Sequence, residues 1–123
     1  MMTENERQAL VRSFLGKVMQ IRIDRPIGFV HRKNEKTLIY PINYGYVPNV
    51  LGGDGEELDV YLMDINVPVE EYTGRIIGIV YRRNDVEDKL IMAPVDVTHT
   101  AEEIAQAIRF QEKYYDSYIE ALQ

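Results

Sequence analysis

An amphipathic helix is predicted near the N-terminus of the chain. Thr3 and Glu6 have the spacing of a capping box, in which each side chain bonds the backbone N–H of the other residue. The apolar residues that follow recur at helical spacing as far as Gly16, a residue type that suits helix C-termini. We therefore expect a helix over about residues 4–15.

A second helix is predicted at the C-terminus. Thr100 and Glu103 form another capping box. The apolar stripe that follows contains Ile104, Ile108, Tyr115, Ile119 and Leu122. A stripe of this length predicts a long helix that packs against the rest of the molecule, with Tyr114 at the edge of the stripe.

The segment between these helices, Lys17 to Pro94, has the pattern of β-strands. Turn residues, as in 52–55, separate short runs rich in apolar and β-branched residues. These runs are 18–23, 37–40, 58–63, 75–81 and 89–93. Short strands at this spacing predict a small barrel or sandwich, so the expected fold class is α+β and mainly β, with both helices packed outside.

Composition narrows the classes of function. A length of 123 residues predicts a single domain, residues 1–123, and the absence of cysteine excludes disulfides and thiolate metal sites. A chain without cysteine suits a reducing cytoplasm. The net charge of −6 argues against nucleic-acid binding, which depends on a basic surface. No apolar run is long enough to span a bilayer, and the acidic first residues do not have the pattern of a signal peptide.

Four carboxylates lie within six residues, at Asp54, Glu56, Glu57 and Asp59. Like charges repel at close range, so folding gains little from this cluster, and a bound cation would explain it. Mg²⁺ fits, because it takes oxygen ligands and retains several waters. A solvated acidic turn would have the same sequence, so both interpretations stay open. Strand alternation predicts that Asp59 faces away from the side that carries its apolar neighbours.

Two other polar groups flank the acidic residues. Tyr40, Tyr44 and Tyr46 occur within seven residues, either as packing residues of a strand and turn or as phenolic donors to an anion. The segment 82–89 mixes arginines, acids and Lys89. It is either a solvated hairpin turn or a set of metal ligands beside phosphate-binding cations.

Taken in order, these segments resemble the soluble family I inorganic pyrophosphatases. Residues 40–46, Tyr-Pro-Ile-Asn-Tyr-Gly-Tyr, resemble the tyrosine segment of that family. Residues 54–60, Asp-Gly-Glu-Glu-Leu-Asp-Val, resemble its signature of Asp-x-Asp-(Pro or Glu)-apolar-Asp-apolar. The resemblance covers most of residues 17–116 and implies a closed five-stranded OB-like barrel with helices packed outside.

The resemblance also implies a metal site. Asp54, Glu56 and Asp59 align with the three signature aspartates that bind activating magnesium ions. In the mechanism proposed for the family, the middle acid also accepts a proton from the attacking water. The further metal ligands that the resemblance implies are Asp85 and either Glu87 or Asp88, depending on where a gap is placed.

The same resemblance implies which residues hold the substrate. Tyr44 aligns with an active-site tyrosine and Lys89 with a lysine just after a metal-binding acid. Tyr114 aligns with the tyrosine of a phosphate-binding tyrosine–lysine pair, and Arg32 is the expected phosphate arginine. The implied catalytic residues are Glu56, Asp59 and Tyr44.

Several positions depart from the family pattern. The middle signature acid is Glu56, one methylene longer than aspartate, and Tyr115 stands where the family has the lysine of its pair. The early glutamate and the Lys-x-Glu motif have no clear counterpart in 18–30, where Arg22 and Arg25 occur instead. The chain is also shorter than the usual bacterial members.

The expected function is Mg²⁺-dependent hydrolysis of inorganic pyrophosphate to two phosphates by a metal-activated water. The resemblance further implies a homo-oligomer, with no nucleic-acid or membrane partner. Because of the departures, a non-catalytic relative that binds a phosphorylated ligand or a partner protein stays open as an alternative. Two others are hydrolysis of another diphosphate, such as a nucleotide, and single-stranded nucleic-acid binding on the barrel, which the acidic balance disfavours.

Overall fold

The computed structural model describes residues 2–83 and 85–123 of the protein. Both capping boxes form as predicted, at Thr3 and at Thr100, and each begins a helix. The elements are α1 (Glu4–Arg12), β1 (Val18–Arg25), β2 (Val30–Lys33), β3 (Lys36–Ile39), β4 (Asn43–Leu51), β5 (Glu57–Leu62), β6 (Glu71–Arg82), β7 (Lys89–Ala93), α2 (Ala101–Glu112) and β8 (Ser117–Ala121). Within the described ranges, no helix is long and apolar enough to cross a membrane.

The five strands β1, β4, β5, β7 and β6 form a closed barrel. They are hydrogen-bonded in that order, and β6 pairs back with β1 to close the ring. The pairing of β5 with β7 is parallel, whereas the other pairings within the ring are antiparallel. Closure removes the exposed strand edges that an open sheet would present. The fold class and the closed five-stranded barrel predicted from the sequence are confirmed.

Two apolar clusters pack on opposite faces of the barrel strands. Leu58, Val60 and Leu62 belong to a cluster that also contains Val11 of α1. Tyr61, from the other face of the same strand, belongs to a cluster that α2 covers. Because Asp59 lies on the Tyr61 face by strand alternation, it faces away from the leucine side, as predicted.

Gly45 allows the close approach of two strands next to the site. β1 and β4 pair Ile23 with Gly45, and a Cβ at Gly45 would lie 1.8 Å from the backbone oxygen of Arg22. A side chain there would push the strands apart. The glycine between Tyr44 and Tyr46 is therefore needed to hold β4, and with it Tyr44, against β1.

The prediction of one long C-terminal helix is wrong beyond residue 112. α2 ends at Glu112, and a turn that includes Tyr114 connects it to β8. β8 then pairs antiparallel with Gly78–Arg82 of β6. Tyr115, Ile119 and Leu122 have helical spacing, but the backbone hydrogen bonds offered by β6 are satisfied only if this segment is extended. The N-terminal helix is also shorter than predicted, because it ends at Arg12.

Candidate active site

A cavity of about 460 Å³ opens between the barrel, the β2–β3 hairpin and the turn after α2. Five of the residues that line it are cationic, namely Arg25, Lys33, Lys36, Arg82 and Lys89. Two are acidic, namely Asp59 and Glu87. With His31 taken as neutral, the lining has an excess of positive charge in a protein of net charge −6. The cavity therefore suits an anionic ligand.

Tyr44, Asp59 and Lys89 meet at the base of this cavity from three different strands. The Tyr44 hydroxyl donates a hydrogen bond to Asp59 Oδ2 at 2.7 Å. Lys89 Nζ donates to the same oxygen at 2.8 Å and also to the Tyr44 hydroxyl. Burial and the adjacent charge of Asp59 raise the pKa of Tyr44 well above its usual value. Tyr44 is therefore a neutral phenol that donates to the carboxylate.

Arg82 lies at the end of β6, surrounded by acids. Its Nε and Nη2 donate to the two carboxylate oxygens of Glu112 at 3.0 and 2.7 Å. Its Nη1 donates to Glu87 at 3.1 Å and to Asp85 at 3.4 Å. The Tyr115 ring covers the guanidinium, with its centroid 3.6 Å from Cζ. Tyr115 therefore contacts the cation Arg82 through its aromatic face.

A chain of buried hydrogen bonds supports Arg82 from behind. Glu112 also accepts a bond from the Tyr61 hydroxyl at 2.6 Å. Gln111 donates to that hydroxyl at 2.8 Å and accepts from the Tyr40 hydroxyl at 2.6 Å. In the described part of the chain, every buried side-chain nitrogen and oxygen has a hydrogen-bond partner. Burial alone would raise the pKa of Glu112, but the hydrogen bonds and charge of Arg82 outweigh it, so the pKa is lowered.

The acidic turn, residues 52–57, lies beside the cavity and is mostly exposed. Its shape comes from local bonds: Glu56 N donates to Asp54 Oδ1 at 3.0 Å, and Gly52 N donates to Glu56 O at 2.7 Å. A hollow of about 10 Å³, the space of roughly one water, lies between the turn and the cavity. The acids that line this hollow are Asp54, Glu57, Asp59, Glu87 and Asp88.

The oxygen donors around the hollow suit a hard divalent cation in chemical type. Among the described residues, however, no three acids or histidines converge closely enough to hold a metal ion. Three of the acids face cations of the protein instead, because Asp59 is bonded to Lys89, Glu87 to Arg82 and Asp88 to Arg7. Asp54 and Glu56 lie on the exposed turn, so the carboxylates that are open to a metal are on the turn side.

The predicted hairpin acids are each in contact with an arginine. Asp88 is buried, and its two oxygens accept from Arg7 Nε at 2.8 Å and from the Arg82 backbone N–H at 3.2 Å. It thereby connects α1 to the barrel. Asp85 and Glu87 both contact Arg82 Nη1. Burial raises the pKa of Glu87 despite the opposing charges of Lys89 and Arg82.

Of the two remaining predicted substrate residues, Tyr114 lines the cavity and Arg32 does not. Tyr114 lines the cavity, and Lys36 Nζ lies 4.4 Å from the centroid of its ring. Arg32 is not among the lining residues; it lies between His31 and Lys33, which are. The alternation of side chains along β2 explains this difference.

Four cations of the cavity were not assigned individually from the sequence, although phosphate-binding cations were one interpretation of the segment 82–89. They are Arg25, Lys33, Lys36 and Arg82. One signal was available for Arg82, because it directly follows the apolar run 76–81 at the end of β6, and a charge there requires a partner. The hairpin lysines carried no such signal, since a charged hairpin is ordinary.

The fold has close counterparts among solved structures of inorganic pyrophosphatases. The enzyme from Ehrlichia chaffeensis aligns with a TM-score of 0.66 at 18% identity, covering 88% of each chain. The one from Coxiella burnetii aligns with a TM-score of 0.58 at 20% identity, covering 87% of this chain and 84% of the other. At these identities the likeness establishes the barrel architecture and nothing finer.

The sequence establishes the family. The family model "Inorganic pyrophosphatase" matches residues 16–120, so the chain belongs to the inorganic pyrophosphatase family. It is 34% identical over 83 residues to inorganic pyrophosphatase 2 of Pseudomonas syringae pv. tomato, covering 62% of this chain and 45% of the relative. It is 31% identical over 86 residues to the inorganic pyrophosphatase of Xylella fastidiosa, covering 63% and 47%. The matched region thus spans less than half of the length of these relatives.

Proposed function

We propose that the protein hydrolyses inorganic pyrophosphate to two phosphates in the cationic cavity, with Mg²⁺ as the metal ion. The observation that carries this proposal is the meeting of Tyr44, Asp59 and Lys89 at the base of the cavity, next to the acidic turn. A diphosphate there has cations around its oxygens and carboxylates on one side for a metal.

The metal ligands in this proposal are Asp54, Glu56 and Asp59. Their carboxylates are the donors that Mg²⁺ prefers, and the turn that carries two of them is exposed to solvent. When bound, the ion would neutralise phosphate charge and lower the pKa of a coordinated water. Glu56 orients the attacking water or accepts its proton.

The cations of the cavity hold the phosphoryl groups. Lys89 is nearly fully buried, with 3% of its side chain exposed, so its charge acts in a low-dielectric environment. Lys33 and Lys36 reach the cavity from the hairpin opposite, and Tyr114 offers a hydroxyl beside them. Tyr44 holds Lys89 and Asp59 in place, because its hydroxyl bonds both. Charge that develops on the phosphate oxygens is therefore met by fixed donors.

The decisive measurement is phosphate release from pyrophosphate by the pure protein with Mg²⁺. We expect Asp59→Asn to lower kcat by roughly 100-fold or more, because it removes the negative charge of a metal ligand that also faces Lys89. Asp96→Asn is the matched control, since it makes the same change at an exposed position outside the cavity lining. Equal rates for the wild type and Asp59→Asn would contradict the proposed mechanism.

A second candidate function is binding of a phosphorylated ligand without turnover. It is supported by the pairing of Asp59 with Lys89 and of Glu87 with Arg82, which already neutralises two acids of the cavity. Calorimetry of pyrophosphate binding with Mg²⁺, combined with a phosphate assay of the same sample, separates the two functions. Saturable binding with no phosphate released favours the second candidate.

The chain is proposed to act as a single domain, residues 1–123, in a cytoplasmic homo-oligomer without a nucleic-acid or membrane partner. The absence of cysteine and the net charge of −6 support the compartment and the lack of nucleic acid. Light scattering measures the oligomeric state, and a titration with labelled oligonucleotide tests whether the protein binds nucleic acid.

A further inference from the structure

Arg82 occupies a position where three acids converge from two parts of the chain. Glu112 comes from the end of α2, whereas Asp85 and Glu87 come from the segment between β6 and β7. All three carboxylates lie within 3.4 Å of guanidinium nitrogens. A group of acids that would otherwise repel one another is thus gathered around one cation.

The guanidinium is fixed in this position. Only 1% of the Arg82 side chain is exposed, and Glu112 binds it through two parallel hydrogen bonds. The Tyr115 ring covers one face of the group. Arginine is suited to this role, because its planar group stays charged and matches a carboxylate with two donors.

We propose that Arg82 serves as a built-in cation, taking the place that a divalent ion would otherwise have beside Glu87 and Asp85. These two acids then bind no metal in the free protein, and metal binding is confined to the acidic turn and Asp59. The positive charge that Arg82 adds to the cavity wall also lets a diphosphate bind there without metal. This inference concerns binding equilibria, so it stands whether or not the protein hydrolyses pyrophosphate.

The first test measures Mn²⁺ binding by calorimetry in the absence of phosphate. The variant is Arg82→Gln with Glu112→Gln, which removes both charges of the buried pair and leaves the net charge unchanged. We expect Mn²⁺ to bind about tenfold more tightly or with one more ion per chain, because Glu87 and Asp85 lose the charge of Arg82 and only Lys89 remains, 3.6 Å from Glu87. Arg83→Gln with Asp116→Asn is the matched control, since this pair is also charge-balanced but more than half exposed.

The second test measures binding of methylenediphosphonate, a diphosphate analogue whose P–C–P bridge cannot be hydrolysed, in the presence of EDTA. The single variant Arg82→Gln is expected to bind it about tenfold more weakly, the effect of one nearby unit charge. Arg82→Lys is expected to recover most of this loss. If Arg82 had only a structural role, its loss would weaken the binding of both ligands. The proposal instead requires tighter Mn²⁺ binding in the double variant and weaker diphosphonate binding in Arg82→Gln.

Two results would overturn the proposal. One is equal Mn²⁺ affinity and stoichiometry in the wild type and in the charge-balanced double variant. The other is that the Arg83→Gln, Asp116→Asn control gains as much Mn²⁺ affinity as the Arg82→Gln, Glu112→Gln variant. If Arg82→Gln alone does not fold, the double variant decides the question, because it leaves no buried charge without a partner.

Discussion

The acidic turn and the buried charge cluster, formed by Arg82, Glu112, Tyr61 and Gln111, lie on two sides of the same cavity. In the turn, the side chain of Asp54 bonds a backbone group only two residues away, and the side chains are exposed. In the cluster, Arg82 and Glu112 are 30 residues apart, and Tyr61 and Gln111 are 50 apart. These side chains are almost fully enclosed.

The difference in burial between the turn and the cluster determines how much each charge matters for the stability of the fold. Water solvates the turn carboxylates, so their presence costs little and their removal costs little. A buried charge is costly unless its partner is present, so each member of the cluster depends on the others. We therefore expect mutations in the cluster to lower the free energy of unfolding, and mutations in the turn to weaken metal binding.

The largest expected effect is that of Glu112→Gln, which leaves the Arg82 charge buried without its main partner. We expect the free energy of unfolding to fall by roughly 3–5 kcal/mol, the usual cost of breaking a buried ion pair. Urea unfolding followed by circular dichroism measures it. Glu71→Gln is the control, because Glu71 pairs with Arg22 at 3.8 Å with both side chains more than half exposed. A loss as small as that of the control would contradict the proposed role of the cluster.

The effect of Glu112→Gln on the free energy of unfolding should depend on pH. The pKa of Glu112 is lower in the folded protein than in the unfolded chain, so its contribution to stability is complete above about pH 5 and is lost as the pH falls through its folded value. The difference in unfolding free energy between the wild type and Glu112→Gln should therefore shrink between pH 5 and pH 3, by a part of the loss seen at neutral pH. Urea titrations at several pH values measure this difference. A constant difference would mean that Glu112 is not a charged partner of Arg82.

The same distinction explains how much of the molecule the sequence could predict. Strand alternation and turn residues are local signals, so they predicted four of the five barrel strands, and Asp59 could be assigned to its face from its immediate neighbours. They missed β4, and the run 37–40 forms β3 of the separate hairpin, so the closed barrel itself was implied only by the family resemblance. That Tyr44, Asp59 and Lys89 belong to one site was implied by the family resemblance of three segments, 40–46, 54–60 and 82–89, since residues at fixed places in one fold keep their relative positions.

The C-terminus and the cluster could not be predicted in this way. Whether 117–121 forms a helix or a strand depends on the free edge of β6, which a local pattern does not reveal. The partner of Arg82 comes from a helix 30 residues later in the chain, and no spacing rule connects the two. Long-range pairing of charges is therefore the information that a single sequence lacks.

A smaller effect is expected for Tyr61→Phe, which removes one hydroxyl from the middle of the cluster. That hydroxyl donates to Glu112 and accepts from Gln111. Its removal leaves the buried Gln111 amide without this acceptor, whereas Glu112 Oε2 keeps its bond from Arg82 Nη2. We expect a loss of about 1–3 kcal/mol in unfolding free energy. Tyr118→Phe is the control, because among the described residues its hydroxyl makes only a long, exposed contact of 3.4 Å with Gln8. Equal losses of unfolding free energy in the two variants would mean that the buried bonds of the Tyr61 hydroxyl stabilise the fold no more than an exposed contact does.

The smallest effect on stability is expected in the acidic turn. Asp54→Asn combined with Glu56→Gln should change the unfolding free energy by no more than about 0.5 kcal/mol, because both side chains are exposed and Asn retains the oxygen that accepts from the Glu56 backbone N–H. Mn²⁺ affinity should nevertheless fall by roughly 10–100-fold, as expected when metal-site residues are lost. Urea unfolding and calorimetry on the same preparation give both values. A variant that loses stability but keeps its Mn²⁺ affinity would reverse the roles assigned to the turn and the cluster, because the exposed acids would then serve the fold and the metal would bind elsewhere.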